Sequence, residues 1–222
     1  MSLSVKQRLN NNPEHHLMAK LQDKIVLITG AGKGSGRLLA QALADQGAII
    51  AANDISPINV EEVVDEILAR GGRAKSYIDD IAKKVAVQNI INQVEDDFGS
   101  IDILIHHAAV EPSIPLLDMD EWDWHRTLDV NLTSAFLMTQ SAGRVMRARG
   151  SGIIINLMSE IEIEDAQNKA AFIATMDGLA GFTRQADREL SRYGIRVHSV
   201  INSSETIVGA VFALLQRQTE EG

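Results

Sequence analysis

Apolar positions along this chain fall into two alternating patterns, short continuous runs and longer stretches with a helical period. The short runs are Lys24–Thr29 (KIVLIT), Ala48–Asn53 (AIIAAN), Arg73–Ile78 (RAKSYI), Ile101–His106 (IDILIH), Gly152–Leu157 (GIIINL) and Ile195–Val200 (IRVHSV). Four of them are nearly all apolar, as strands buried on both faces of a parallel sheet should be. Between them lie helical stretches, among them Arg37–Gln46, Val60–Arg70 and Val85–Phe98. The last places Val85, Val87, Ile90, Ile91 and Val94 along one stripe. Gly71-Gly72 and Gly99 stand where a helix end needs a left-handed residue. Strand–helix alternation with short turns predicts right-handed crossovers and one α/β domain built on a doubly wound parallel sheet flanked by helices.

Composition narrows the classes of function. With 222 residues the chain supports one full core, and two would be cramped. Its 45% hydrophobic and 23% charged content is ordinary for a globular domain. A net charge of −9 argues against nucleic acid or an anionic membrane as partner, because both select a basic face. The absence of cysteine excludes disulfides, thiolate catalysis and Cys-ligated zinc. Residues 1–20 read as a polar N-terminal extension without the apolar segment of a signal peptide, and 21–222 as the domain. No apolar run reaches the length that spans a bilayer, so a cytoplasmic protein is expected.

The first strand runs directly into Thr29-Gly30-Ala31-Gly32-Lys33-Gly34-Ser35-Gly36, and a helix follows at once. Glycines there let the backbone turn tightly and approach a pyrophosphate, while the helix start offers N–H groups and the positive end of its dipole. The spacing is G-x-x-x-G-x-G, carried by Gly30, Gly34 and Gly36, and not G-x-G-x-x-G. Asp54, eighteen residues after Gly36, closes the second strand where an acid can accept bonds from a ribose. A carboxylate there would repel a 2′-phosphate, which favours NAD over NADP, with Lys33 a partial offset. The same features also suit a plain strand–helix turn and a helix cap. Together with the strand pattern they point to a Rossmann-type dinucleotide-binding sheet.

The series TGAGKGSG, then Asp54, Asp80-Ile81 and ILIHHAA, resembles the short-chain dehydrogenase/reductase family, most closely its 3-oxoacyl-carrier-protein reductase-like branch. The resemblance extends from Leu21 to Asn202. It implies that Asp80 and Ile81 hold the adenine and that the end of the fourth strand lies beside the cofactor. The family has Asn-Asn-Ala-Gly there; this chain has His106-His107-Ala108-Ala109, so Ala108 matches and both His residues depart. Adjacent strand residues point to opposite faces, so the two His cannot ligate one metal ion in regular geometry.

The resemblance further implies hydride transfer between a nicotinamide and a carbonyl or alcohol. In the family a Tyr exchanges the proton, a Lys lowers that Tyr's pKa and binds ribose, a Ser polarises the substrate oxygen and an Asn completes a relay. Asn131 matches the Asn and Ser159 the Ser. Phe172 and Met176 stand at the Tyr and Lys positions and delete both chemistries. A missing general acid costs on the order of 10²–10⁴ in rate. Lys169 and Tyr193 are poorly placed to substitute. Asn202-Ser203 replace the family's Pro-Gly, and Glu205–Gln218 resembles its final helix, so the substrate lid and last strand are expected to be missing. Two readings follow: an NAD-dependent oxidoreductase working through Ser159, Asn131 and a water or His107, or an impaired member that binds dinucleotide or partner subunits without turnover. Family members associate through two long helices, here around Asp129–Arg149 and Ala166–Tyr193, which predicts a homodimer or homotetramer. The acidic residues Glu160, Glu162, Glu164 and Asp165 read as a solvated loop at the pocket rim, and Trp122 and Trp124 as packing residues.

Overall fold

The computed structural model describes residues 21–159, 166–202 and 207–220. Six strands, β1 (Ile25–Thr29), β2 (Ile49–Asp54), β3 (Arg73–Ile78), β4 (Ile103–His106), β5 (Gly152–Ser159) and β6 (Ile195–Asn202), form one sheet in the order β3-β2-β1-β4-β5-β6. Every pairing is parallel. The helices are α1 (Gly34–Asp45), α2 (Pro57–Ala69), α3 (Lys84–Phe98), α4 (Glu121–Leu128), α5 (Ser134–Arg149), α6 (Ala170–Leu190) and α7 (Ile207–Glu220). This is the doubly wound Rossmann-type sheet that the strand pattern predicts.

Alternation along β1 divides the core. Val26 and Ile28 face one side, where Leu39, Leu43, Val60, Val63 and Val211 cover them from α1, α2 and α7. Ile25 and Leu27 face the other, against Val87, Ile90, Val94, Met138 and Met146 of α3 and α5. Both sets are buried because a central parallel strand has helices on each face, and each buried aliphatic contributes about 1.5–3 kcal/mol. Edge strand β3 instead alternates between exposed and partly buried positions over most of its length.

Several boundaries and faces differ from expectation. Val85 lies in the first turn of α3 and is 68% exposed; Ala86 takes its place in the buried stripe. Gly71 is left-handed (φ 80°), but Gly72 is not. Trp122 does not pack: it opens α4 with 69% of its surface exposed. The stretch around Asp129–Arg149 is not one regular helix, since a π-helical turn, Asp129–Thr133, joins α4 to α5. No helix among the described residues is long and apolar enough to cross a membrane. The predicted extension 1–20, the acidic stretch 160–165 and residues 203–206 lie outside the described residues.

Candidate functional site

The sheet order reverses between β1 and β4, and the crevice beyond the carboxyl ends of strands at such a point is where α/β sheets bind ligands. Thr29, Asn53 and His106 are in register there. A cleft of about 260 Å³ opens beside them, lined by residues that follow β1, β2, β3 and β4, together with Arg126 and Val130. Of the residues singled out in the sequence, Gly30, Lys33, Asp54, Asp80, Ile81, His107 and Ala108 all line it.

The glycine turn has two jobs. A Cβ on Gly36 would collide with the Gly30 carbonyl, and one on Gly30 would come within 2.9 Å of Ala108 Cα. A Cβ on Gly32 would lie 2.8 Å from Asp54 Oδ2. These three positions are small because protein packs against them. Gly34 is different: its φ is +57° and a Cβ there meets nothing within 4 Å. It leaves the start of α1 open. The cap residue, Lys33, makes no side-chain bond to that first turn, in which Ser35 and Gly36 are buried.

Asp54 serves the turn as well as the cleft. Its Oδ2 accepts the Gly32 N–H at 2.9 Å and its Oδ1 the Ser56 N–H at 2.9 Å. Two of about four acceptor positions on an ionised carboxylate are therefore used within the protein. Asp80 accepts the Ala82 N–H at 3.1 Å and pairs with Arg126 Nη1 at 3.1 Å.

The two His residues behave as opposite-facing neighbours. Thr29 Oγ1 accepts the backbone N–H of His107 (3.1 Å) and of Ala108 (3.3 Å). With both lone pairs engaged, its hydrogen goes to His106 Nδ1 at 3.1 Å. The His106 proton thus sits on Nε2 and is donated to Ser134 Oγ at 3.2 Å, and Ser134 donates in turn to the Val130 carbonyl. Burial, with the neighbouring His107 ring, pushes His106 down to about 3, so it is neutral. His107 turns to the cleft with Nδ1 3.0 Å from the Gly30 carbonyl, and burial lowers its pKa also.

The other end of the site is apolar. Phe172 and Met176 are 1% and 4% exposed and pack with Ala135 and Leu179, flanked by Leu132, Met158 and Phe182. Neither lines the cleft, and nor does Ser159, half-buried at the end of β5 opposite Asn202. Asn131 lies in the π-helical turn, where its side chain clamps the Val110 backbone: Oδ1 accepts the N–H at 2.8 Å and Nδ2 donates to the carbonyl at 2.9 Å. The same Nδ2 donates to Thr175 Oγ1 at 3.1 Å. Lys169 is held by Glu111 at 2.6 Å, and Tyr193 lies in a groove between α5 and α6.

The sequence reading missed Thr29, Asn53, Asp79, Arg126 and Ser134. Asn53 donates to the carbonyls of Tyr77 (2.9 Å) and Asp79 (3.2 Å), fixing the β3 end beside the cleft. Only the strand-end positions of Thr29 and Asn53 gave a signal; Arg126 and Ser134 are brought in by tertiary packing.

Residues 24–204 match the family model described as short chain dehydrogenase. The chain is 36% identical over 179 residues to a 3-oxoacyl-acyl-carrier-protein reductase of Staphylococcus epidermidis, covering 80% of this chain and 73% of that protein. Among solved structures, an NAD⁺-bound xylitol dehydrogenase is similar at 31% identity and TM-score 0.77, covering 81% of this chain and 70% of that one. A metagenomic short-chain oxidoreductase in complex with NADP is similar at 28% identity and TM-score 0.82, covering 88% and 92%. The chain belongs to the short-chain dehydrogenase family, whose fold binds a nicotinamide dinucleotide and serves oxidoreductases.

Proposed function

We propose that this chain holds NAD, in preference to NADP, at the carboxyl ends of β1, β2 and β4, and that its proton-transfer machinery is impaired. The bound cofactor would supply hydride exchange between its nicotinamide and a carbonyl or alcohol. The observation that carries the binding half is the convergence of Gly30, Lys33, Asp54, Asp80, Ile81, His107 and Ala108 on one cleft. The open side of Gly34 and the uncapped first turn of α1 suit a pyrophosphate, with the Lys33 ammonium beside them. Asp54 would accept from the adenosine ribose with its remaining lone pairs and repel a 2′-phosphate. Asp80 and Ile81 would flank the adenine.

The chemical half rests on Phe172 and Met176. A phenyl ring and a thioether cannot exchange a proton, and both are sealed in an apolar cluster. Residues 21–222 are read as a dinucleotide domain without the family's substrate lid, which would further expose the reacting centre. A second reading, residual oxidoreductase activity, is favoured by Ser159, half-buried at a strand end, and by the His107 ring on the cleft. Calorimetric titration with NAD, NADH and NADP, followed by a turnover screen with short-chain alcohols, ketones and 3-oxoacyl thioesters, separates the readings. The proposal expects NAD binding with little or no turnover. Turnover abolished by Ser159→Ala would establish the second reading, and no binding would defeat both.

The family's association surface is the further element proposed. The groove between α5 and α6, about 390 Å³, is lined by Phe136, Gly143, Phe182, Leu190 and Tyr193 among others. Phe136 stays 44% exposed, which supports a homodimer or homotetramer closed over this face.

A further inference from the structure

We infer that the site recognises the ADP-ribosyl half of the dinucleotide and that the nicotinamide half adds little affinity, so that ADP-ribose is held about as tightly as NAD. This rests on the dinucleotide-binding reading above and adds which part of the ligand carries the binding.

Polar groups are distributed unequally along the site. At the adenosine end, Asp54 and Asp80 line the cleft together with Lys33, which has no ion-pair partner among the described residues. Arg126 stands across from Asp80 and balances its charge at 3.1 Å. These groups, with the turn amides, match the inventory of an adenosine diphosphate: two ribose hydroxyls, a pyrophosphate and an aminopurine edge.

Toward α6 most polar side chains among the described residues are already committed within the protein, Ser159 and the His107 Nε2 excepted. Both N–H bonds of the Asn131 amide go to the Val110 carbonyl and Thr175, at 2.9 and 3.1 Å. The Thr175 hydroxyl donates to the Phe172 carbonyl at 2.7 Å. His106 has a protein partner on each ring nitrogen. Lys169, the cation nearest Phe172 in sequence, is engaged by Glu111. Met176 presents a thioether, which cannot donate to a hydroxyl. Among the described residues a second ribose brought here would find few uncommitted donors to replace the water it loses, a cost for a polar group.

The test is calorimetric titration of the full chain with NAD, ADP-ribose and nicotinamide mononucleotide. The inference expects the Kd values of NAD and ADP-ribose to agree within about threefold, with no heat from the mononucleotide at millimolar concentration. NAD binding more than about tenfold tighter than ADP-ribose would overturn the inference and leave the dinucleotide reading standing. No binding of either would overturn both. A variant gives an independent arm: Asp54→Ala should weaken NAD and ADP-ribose by the same factor, and a loss confined to one ligand would contradict the inference.

Discussion

Asp54 Oδ2 and the Gly32 amide, 2.9 Å apart, tie the end of β2 to the glycine turn after β1. One carboxylate therefore holds the glycine turn from behind while lining the cleft, so the ribose recognition proposed for Asp54 would be combined with a structural role.

This double role makes Asp54 variants separable. Asp54→Asn removes the charge but retains one oxygen acceptor, so NADP should gain on NAD by about tenfold, the equivalent of 1.4 kcal/mol. Asp54→Ala deletes both backbone contacts, and hydrogen bonds to charged groups contribute about 1.5–3 kcal/mol each. Its melting temperature should fall well below that of the Asn variant. Paired titrations and thermal melts read both effects; an unchanged NAD/NADP ratio in the Asn variant would remove Asp54 from cofactor selection.

His106 should make stability depend on pH in a defined window. Its folded pKa lies near 3, against an ordinary 6.5 in the unfolded chain. Above about pH 6.5 neither state binds this proton and its contribution to stability is full. As pH falls from 6.5 toward 3 the unfolded state takes up the proton and the folded state does not, so stability is lost at up to about 1.4 kcal/mol per pH unit. Urea unfolding at pH 7.5 and 5.0, on the native chain and on His106→Asn, isolates the term. The native chain should lose about 1–2 kcal/mol more than the variant over that interval. Equal losses would mean that His106 is not buried in its neutral form.

Restoring the absent proton chemistry gives a third outcome. Phe172→Tyr with Met176→Lys should raise turnover, by up to about a hundredfold over any basal rate. The same pair inserts a hydroxyl and an ammonium into a cluster 1–4% exposed, so the melting temperature should drop. Spectrophotometric assay of NADH formation together with thermal melts covers both. Bound NAD with unchanged turnover would show that proton transfer is not what limits this site.

The groove between α5 and α6 predicts association. Sedimentation velocity at micromolar concentration should give a dimer or tetramer, and Phe136→Asp should shift it to monomer with little change in melting temperature. Phe136 meets Phe182 edge-on at 6.4 Å but is 44% exposed, so the change falls mainly on the interface. A monomeric native chain would contradict this.

Much of the fold was legible because buried parallel strands are written as uninterrupted apolar runs. Ile25–Thr29 and Ile49–Asp54 lie within one residue of the boundaries read from the sequence. The exposure of Val85 was not legible, since a first-turn residue with the right period can still fall outside the contact face. The glycine turn and Asp54 could be found from spacing, but not their mutual bond, which depends on how β2 docks beside β1. The His pair read only as a departure from a family motif. The role of His106 comes from Ser134, twenty-eight residues away, and from a π-helical turn that no periodicity announces.

The central claim is that the start of α1 receives a pyrophosphate while Asp54 meets the adjoining ribose. A crystal of the chain grown with millimolar NAD tests it most directly. The account predicts density for the diphosphate against Gly34–Gly36 and for a ribose within hydrogen-bonding distance of Asp54. Ordered solvent alone in that cleft, or NAD bound elsewhere, would contradict it.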